Sequence, residues 1–518
     1  MCYMLAAGKK ATVDGSVLVA RGCDAPSTEA TRTISVPHMK HPKGTKIVIP
    51  PSMETRKSPG VVLDQVEETL AYTAVVTIGR EGDMPLVLGG INEYQVSVGA
   101  STGGPVKPEV DKLTPWPETA IGDFLMTIAL ERCKTAREAI EFLGEMSEKY
   151  GARTDNYIVA DPAEVWLMEQ YQGYHWAAVR IPDDCFIVEA NSFRITEVNP
   201  DDPDNYRCDP DLIPFAIKHG LWDPKSGEPF KAAKAYGTTE INRPRGDLAT
   251  PYYSLHRIWR GISLLNPTLK LDPYEPTKEY PFFVKPASPI SVEDMLHVLK
   301  DTYRGTELDE YYCLDDKYPT VIDGKTGHYR LSPAWNKSRN IGCPQTITSW
   351  VTQSRDNLPN EIGGVFWAGM AACATSPHIP WYCHNTRTPK EYRTGNAGAT
   401  SEYMEDSAYW LYENLTNFVN LFFQANAPLV LPVWETFDHT NFDRQTEIET
   451  LAKMYYQEDP KKAIAFLTDY SNGLAMDAYS LGKEIQTKIF TRIAQLNNPQ
   501  TKIGYIPVEE WEKNKGVY

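Results

Sequence analysis

The sequence predicts an α+β fold in which antiparallel sheets are covered by helices. Three observations carry this. Strand-like and helix-like runs arrive in blocks, ordered strands, helices, strands, helices, without the alternation that builds a parallel sheet. The first two strand-like runs are joined by a turn short enough for an antiparallel hairpin. The last hundred residues carry helical patterns, a carboxy-terminal helical elaboration on the sheets.

The elements follow in order. Residues 3–7 are a short apolar run, and 9–15 form a turn in which Asp14-Gly15 is a strong hairpin signal. Residues 16–21 are a Val-rich second strand, so Cys2 stands at the free end of an amino-terminal hairpin. Further strand-like runs lie at 46–49, 71–77, 85–89 and 95–98. Ile121, Phe124, Leu125, Ile128 and Leu130 predict an amphipathic helix over 119–133. Thr135-Ala136-Arg137-Glu138 is a capping box that opens a second helix to about 149. Strands return at 156–160, 165–169, 175–180 and 185–189. Residues 196–250, rich in Pro, Asp and Gly, read as a long irregular excursion. Helices are expected near 254–264 and over 291–303, the latter capped by Ser291 with Asp294 three residues on. Residues 310–400 mix short strands with proline-rich loops, and helices close the chain at 405–424, 444–457, 460–470 and 474–496. No internal repeat or low-complexity linker divides these elements. The reading is one domain over 1–518, with a catalytic core roughly over 2–300 and carboxy-terminal strands and helices over 301–518.

A chain of 518 residues buries a large core. Its 42% hydrophobic and 23% charged content is that of a soluble globular protein. A net charge of -16 argues against nucleic acid or an anionic membrane as partner. No apolar run is long enough to span a membrane, and Met1 to Lys10 lacks the charged and apolar regions of a signal peptide, so a cytoplasmic location is expected. The nine cysteines are dispersed with no C-x-x-C pair, the pattern of free thiols in a reducing compartment. No H-E-x-x-H motif occurs, and neither a metal nor a cofactor is expected.

Cys2 follows the initiator Met directly. Aminopeptidases remove Met before a small residue such as Cys. The product carries an α-amine, which titrates near about 7.7–8.0, beside a strongly nucleophilic thiol. One residue then supplies both nucleophile and base. Taken alone, Cys2 reads as a small residue beginning a buried strand. Arg21 and Asp24 change that reading, because they end the second strand opposite the free end of the first. An arginine beside the thiol favours thiolate, and a carboxylate can hold the α-amine. Away from that hairpin the same two residues would be an ordinary surface ion pair.

Cys2, the run Gly8-Lys9-Lys10-Ala11-Thr12-Val13-Asp14-Gly15-Ser16, and Ala20-Arg21-Gly22-Cys23-Asp24 resemble the opening of the dipeptidase A and secernin family. These are cysteine peptidases of the amino-terminal-nucleophile (Ntn) hydrolase superfamily. The opening is more distantly similar to penicillin V acylase and conjugated bile acid hydrolase. The resemblance continues at Gly89-Gly90-Ile91-Asn92-Glu93, Glu189-Ala190-Asn191-Ser192 and Ser254-Leu255-His256-Arg257-Ile258-Trp259-Arg260. Gly364-Val365-Phe366-Trp367 and Asp406-Ser407-Ala408-Tyr409-Trp410 look like the dipeptidases only. The resemblance implies a four-layer αββα Ntn-hydrolase sandwich and a cysteine dipeptidase acting on a small peptide; a homo-oligomer is expected. It matches Cys2 to the nucleophile, Arg21 and Asp24 to the pair flanking it, Asn191 to an oxyanion-binding asparagine, and Arg257 to a late active-site arginine. Ser101 falls where the acylases have a second oxyanion asparagine, and Gly22 replaces a residue that is often Asn. Asn92 and Ser101 are the expected substrate-binding residues.

Other readings compete. Gly99-Ala100-Ser101-Thr102-Gly103 fits the G-x-S-x-G elbow of serine hydrolases, which needs a strand before it and a helix after it. The following Gly104-Pro105-Val106-Lys107-Pro108 is expected not to open a helix. An N-acyl amide acylase of penicillin or bile-salt type would keep the fold and change the substrate. A secernin-like binding protein would keep the fold without catalysis, but Cys2, Arg21, Asp24 and Asn191 together favour activity.

Overall fold

Both faces of the first strand are apolar, so it has to lie inside a sheet covered on each side. The computed structural model describes residues 2–49, 60–77, 84–117, 122–238, 252–273, 280–306, 308, 339–395, 402–421 and 423–496. In it, β1 (Cys2–Ala7) and β2 (Val17–Asp24) are buried along their whole length. Side chains alternate across a strand. Cys2, Met4, Ala6, Val17, Val19 and Cys23 therefore enter one core, and Tyr3, Leu5, Ala7, Leu18 and Ala20 another.

The first sheet runs in the order β14 (Phe186–Glu189), β1, β2, β16 (Thr346–Ser354), β17 (Val365–Met370) and β18 (Ile379–Tyr382). The second runs β15 (Tyr206–Cys208), β13 (Trp176–Arg180), β12 (Val165–Gln170), β11 (Asp155–Ala160), β10 (Ser97–Thr102), β9 (Leu86–Asn92), β8 (Tyr72–Thr77) and β3 (Thr31–Val36). Two ribbons stand apart: β4 (Met39–Lys40) pairs with β7 (Glu68–Thr69), and β5 (Lys46–Ile49) with β6 (Val61–Asp64). Pairing within both large sheets is antiparallel. Met4 and Val19 of the first sheet share a core with Ile91, Ile158 and Leu167 of the second. The far face of the first sheet packs on helices Tyr252–Leu265 and Val292–Lys300 through Ile258, Ile262, Met295 and Leu296. The far face of the second packs on Leu125–Arg132 and Ala136–Tyr150 through Ile128, Leu130, Ile140 and Leu143. The layers are thus helix, sheet, sheet, helix, with strands 346–382 built into the sheet that carries Cys2.

Several elements differ from the sequence expectation. The helix expected from 119 begins, among the described residues, as a 3-10 turn at Gly122–Phe124 that leads into Leu125–Arg132; 118–121 lie outside them. The Ser291 and Asp294 capping box forms, but its helix stops at Lys300. The excursion over 196–250 holds β15 and helices Leu212–Lys218 and Ala232–Tyr236, with 239–250 outside the described residues, as are 309–338 of the mixed region. A six-residue helix, Pro108–Leu113, does open after the glycine-rich run. Pro108 occupies its first turn, where a missing N–H costs nothing.

The carboxy-terminal helices are longer than expected: Phe423–Glu458 and Pro460–Leu496 each run unbroken. Pro428 and Pro432 lie inside the first. Each removes an intrahelical hydrogen bond, but the fully buried Ala427, Val430 and Trp434 hold the turns against the core. In the second helix Ser471 donates to the Pro380 carbonyl at 2.6 Å and Asn472 to that of Thr468 at 2.7 Å, so side chains that usually break a helix find partners.

Buried charge ties the first long helix to the first sheet. Arg355 grips Glu449 through two nitrogens, at 2.8 and 2.6 Å. Lys300 Nζ lies 2.8 Å from Asp438, which also accepts the His378 backbone N–H at 2.8 Å. His378 Nε2 is 3.0 Å from Ser349 Oγ, in the outline of a hydrolase triad, but its side chain is wholly inaccessible and serves the clasp. Among the described residues no helix is long and apolar enough to cross a membrane.

Gly261 leaves room for a strand side chain, because a Cβ there would collide with the Tyr3 hydroxyl. Gly261→Ala is expected to destabilise the fold by about 1–3 kcal/mol. Tyr3→Phe, which removes the colliding atom, should recover part of that loss in a double-mutant cycle read by denaturant unfolding.

Candidate active site

Hairpin register decides which side chains meet. Cys2 lies opposite Cys23 and Met4 opposite Arg21. Residues 2, 4, 21 and 23 then project toward the second sheet, and Gly22 and Asp24 project away from it. Arg21 Nη2 donates to Cys2 Sγ at 3.2 Å and to Cys23 Sγ at 3.3 Å, and the two sulfurs are 3.9 Å apart. Arg21 Nη1 donates to the Leu88 carbonyl of β9. Trp350, opposite Arg21 in β16, fills the rest of the space. Its indole rests on Gly89 and Gly99, where a Cβ would strike the ring. Only glycine lets the second sheet approach this closely.

This box is dry: Cys2, Arg21 and Cys23 are 5%, 4% and 5% exposed. No carboxylate among the described residues lies within ion-pair distance of Arg21. The sulfur–sulfur hydrogen bond, together with the Arg21 charge, holds the Cys2 thiol well below the ordinary thiol range, against the effect of burial. The same hydrogen bond and burial hold the proton on Cys23. Burial opposes the charge on Arg21, but the neighbouring sulfurs outweigh it and hold the guanidinium charged.

Asp24 faces the other way. It accepts from Arg339 at 2.9 Å and from Thr346 Oγ1 at 2.6 Å. An irregularity in β16 between Thr346 and Thr348 turns Thr346 toward it. Arg339 also donates to Tyr253 Oη at 2.7 Å, and the Tyr253 ring stacks on the Arg257 guanidinium at 4.5 Å. Arg257 is no exposed helix residue, being 1% exposed. Its nitrogens donate to the Cys2 carbonyl at 2.9 Å, the Ala190 carbonyl at 3.3 Å and Asn191 Oδ1 at 3.1 Å.

Asn191 sits just past β14 with φ 55°, a left-handed conformation that asparagine tolerates. Its Oδ1 accepts from the Cys2 backbone nitrogen at 3.3 Å, and its Nδ2 donates to the Thr102 carbonyl at 2.7 Å. Cys2, Arg21, Asn191 and Arg257 are therefore brought together, and Asp24 joins them through Arg339 and Tyr253.

Ser101 and Asn92 are placed otherwise. Ser101 lies within the extended strand β10, and its hydroxyl donates to Glu189 at 2.6 Å. The G-x-S-x-G run is not an elbow, and the serine-hydrolase reading is corrected on that ground: the short helix opens only at Pro108, and the partner of Ser101 is a carboxylate. Asn92 faces the outer helices. Its Nδ2 donates to the Leu130 and Cys133 carbonyls at 3.0 and 2.8 Å, and its Oδ1 accepts from Tyr94 and Val96 at 3.0 Å each. Turn and helix backbone consume its amide, and it is not brought to Cys2.

Cys23, Arg339, Trp350 and Glu189 were not singled out from the sequence. Strand alternation from Arg21 would have found Cys23. Glu189, in the same short run as Asn191, also accepts from Asn156 at 3.0 Å and from the Ser192 N–H at 3.0 Å. Burial pushes its carboxyl up to about 7. Nothing local marks Arg339 or Trp350, which arrive from more than three hundred residues downstream of Arg21.

Peptidase family C69 matches residues 1–435 of the chain. A "Probable dipeptidase B" of Lactococcus lactis is 29% identical over 512 residues, covering 97% of each chain. A "Probable dipeptidase" of Latilactobacillus sakei is 27% identical over 514 residues, covering 96% of each. "Dipeptidase A" of Lactobacillus helveticus is 24% identical over 424 residues, covering 79% of this chain and 80% of the other. Among solved structures, a C2A mutant of conjugated bile acid hydrolase from Clostridium perfringens covers 79% of this chain and 98% of its own at 13% identity, with a TM-score of 0.35, too distant a likeness to bear on the fold.

Two outcomes are expected here. Replacing Arg21 by Gln removes the charge beside the thiol, so Cys2 alkylation by iodoacetamide, followed by peptide mass against pH, shifts to higher pH by on the order of one unit or more. Glu189 holds its proton more tightly in the folded protein than in the unfolded chain, where it titrates near 4.5. Its contribution to stability is then greatest below about pH 4.5 and is lost as pH rises to about 7, by on the order of 3 kcal/mol. Glu189→Gln should flatten that part of the stability–pH curve measured by urea unfolding.

Proposed function

The chain belongs to peptidase family C69 and is a dipeptidase, and we propose that the Cys2 sulfur is its nucleophile once Met1 is removed. Met1 itself lies outside the described residues. The observation that carries the reading is the 3.2 Å contact between Arg21 and Cys2 Sγ inside a dry box. It favours the thiolate form of Cys2.

In this mechanism the thiolate attacks the peptide carbonyl carbon, and negative charge develops on the oxygen. The Asn191 amide, whose Oδ1 accepts from the Cys2 nitrogen, has one Nδ2 hydrogen beyond that given to Thr102 and serves as donor to that oxygen. The α-amine exposed by loss of Met1 takes the place of the Cys2 amide nitrogen beside Asn191 Oδ1. It carries a proton to the leaving amine as the thioester forms, and water then releases the acid and restores the thiolate. Arg257 acts as a positioning residue through the Cys2 carbonyl, and Asp24 through Arg339. A cytoplasmic homo-oligomer is part of the same reading.

The test is a substrate panel of dipeptides, longer peptides and N-acyl amides, with intact-mass measurement of the native chain. The expected result is loss of Met1 and hydrolysis of dipeptides that Cys2→Ala reduces by orders of magnitude. Active protein that quantitatively retains Met1, or dipeptide hydrolysis that survives in Cys2→Ala and is lost in Ser101→Ala, overturns the mechanism. Cleavage of N-acyl amides alone transfers the chain to the acylase reading.

A further inference from the structure

We propose that Cys23 is a resolving thiol: oxidant converts Cys2 and Cys23 into a reversible cross-strand disulfide that switches the nucleophile off and shields it from irreversible oxidation. That such a disulfide inactivates the enzyme rests on Cys2 being the nucleophile. That it forms does not.

The geometry comes from strand register. Cys2 and Cys23 are directly opposed across an antiparallel pair. Opposed residues of such a pair have Cα atoms about 4.5 or 5.5 Å apart, both inside the range a disulfide spans. The side chains share one face, and the sulfurs already lie within 3.9 Å. Cys2 starts its strand, so the closing movement falls on the end of the hairpin. Cys343, the other thiol nearby, lies 3.5 Å from Asp24 and 3.1 Å from Arg339, across the strand from Cys2, and is not in position to compete.

The chemistry follows from Arg21. One guanidinium touches both sulfurs and stabilises a thiolate, the form that hydroperoxides attack. The Cys2 thiolate attacks one oxygen of hydrogen peroxide; the O–O bond breaks, the thiolate becomes a sulfenic acid, and hydroxide leaves. The Cys23 sulfur then attacks the Cys2 sulfur, the S–O bond breaks, and the Cys23 proton leaves with the hydroxyl as water. The peroxide gains the two electrons that the two thiols lose. Hydrolysis at Cys2 requires that a dipeptide reach the sulfur, and any route a dipeptide takes admits the smaller peroxide. The disulfide takes away the Cys2 thiolate beside the buried Arg21, so the reduced state is favoured and a thiol reductant reopens the bond easily.

The test uses full-length protein treated with hydrogen peroxide, then N-ethylmaleimide, then trypsin. Lys9 and Arg21 place the two cysteines in separate peptides, 2–9 and 22–32. The expected result is a cross-linked pair of these peptides, lighter by two hydrogens than their sum, with dipeptidase activity that falls as the link forms and returns with dithiothreitol. In Cys23→Ser, rates taken relative to its own untreated rate should fall with peroxide and not return, with Cys2 recovered as sulfinic or sulfonic acid. Cys23→Ala replaces it if the serine variant does not fold, and the wild-type cross-link decides if neither does. Wild type that yields over-oxidised Cys2 without the cross-link, or a Cys23 variant that recovers as fully as wild type, overturns the proposal. A cross-link that forms while activity is unchanged leaves the disulfide standing and removes Cys2 as nucleophile.

Discussion

A guanidinium closed between two sheets has to be given negative charge, and here it is given sulfur. Arg21 is 4% exposed, and its charge-bearing contacts are the sulfurs of Cys2 and Cys23. Leaving it unpaired would cost several kcal/mol. The nearest acid in sequence, Asp24, is spent on Arg339 across the strand. The contacts that keep water from Arg21, above all Trp350 over Gly89 and Gly99, also hold it against the Cys2 sulfur, where its charge works against the burial that would otherwise keep the thiol protonated.

A second network holds the strand end in place. Asp24, Arg339, Tyr253, Arg257 and Asn191 form a continuous chain of contacts that ends on the carbonyl and nitrogen of Cys2. A strand terminus ordinarily frays. This one is clamped on both backbone groups, which fixes the backbone from which the Cys2 thiol projects.

Much of this was legible in the sequence because it is local. The Asp14-Gly15 turn and the alternation of residues 2–7 and 17–24 specify the hairpin, and with it the meeting of Cys2 and Arg21. Asp24 was read by distance from the thiol; the period of two places it on the opposite face, where Arg339 and Thr346 bind it. Asn92 was read from its motif, but its amide is absorbed by four backbone groups. Arg339 and Trp350 left no local trace, since only the pairing of β16 with β2 brings them to the site. Helices Phe423–Glu458 and Pro460–Leu496 run through Pro428, Pro432 and the break expected between 470 and 474 because tertiary burial outweighed local preference.

The place of β16 beside β2 also sets a schedule. The ribosome delivers Cys2 and Arg21 at the outset, but the strand that completes their sheet, and the indole that seals it, are made more than three hundred residues later. At about 5–20 residues per second that interval is tens of seconds. Until it ends, Arg21 has no dry box and Cys2 is an ordinary thiol. The surroundings that lower the Cys2 thiol are thereby complete only once about two thirds of the chain has been made.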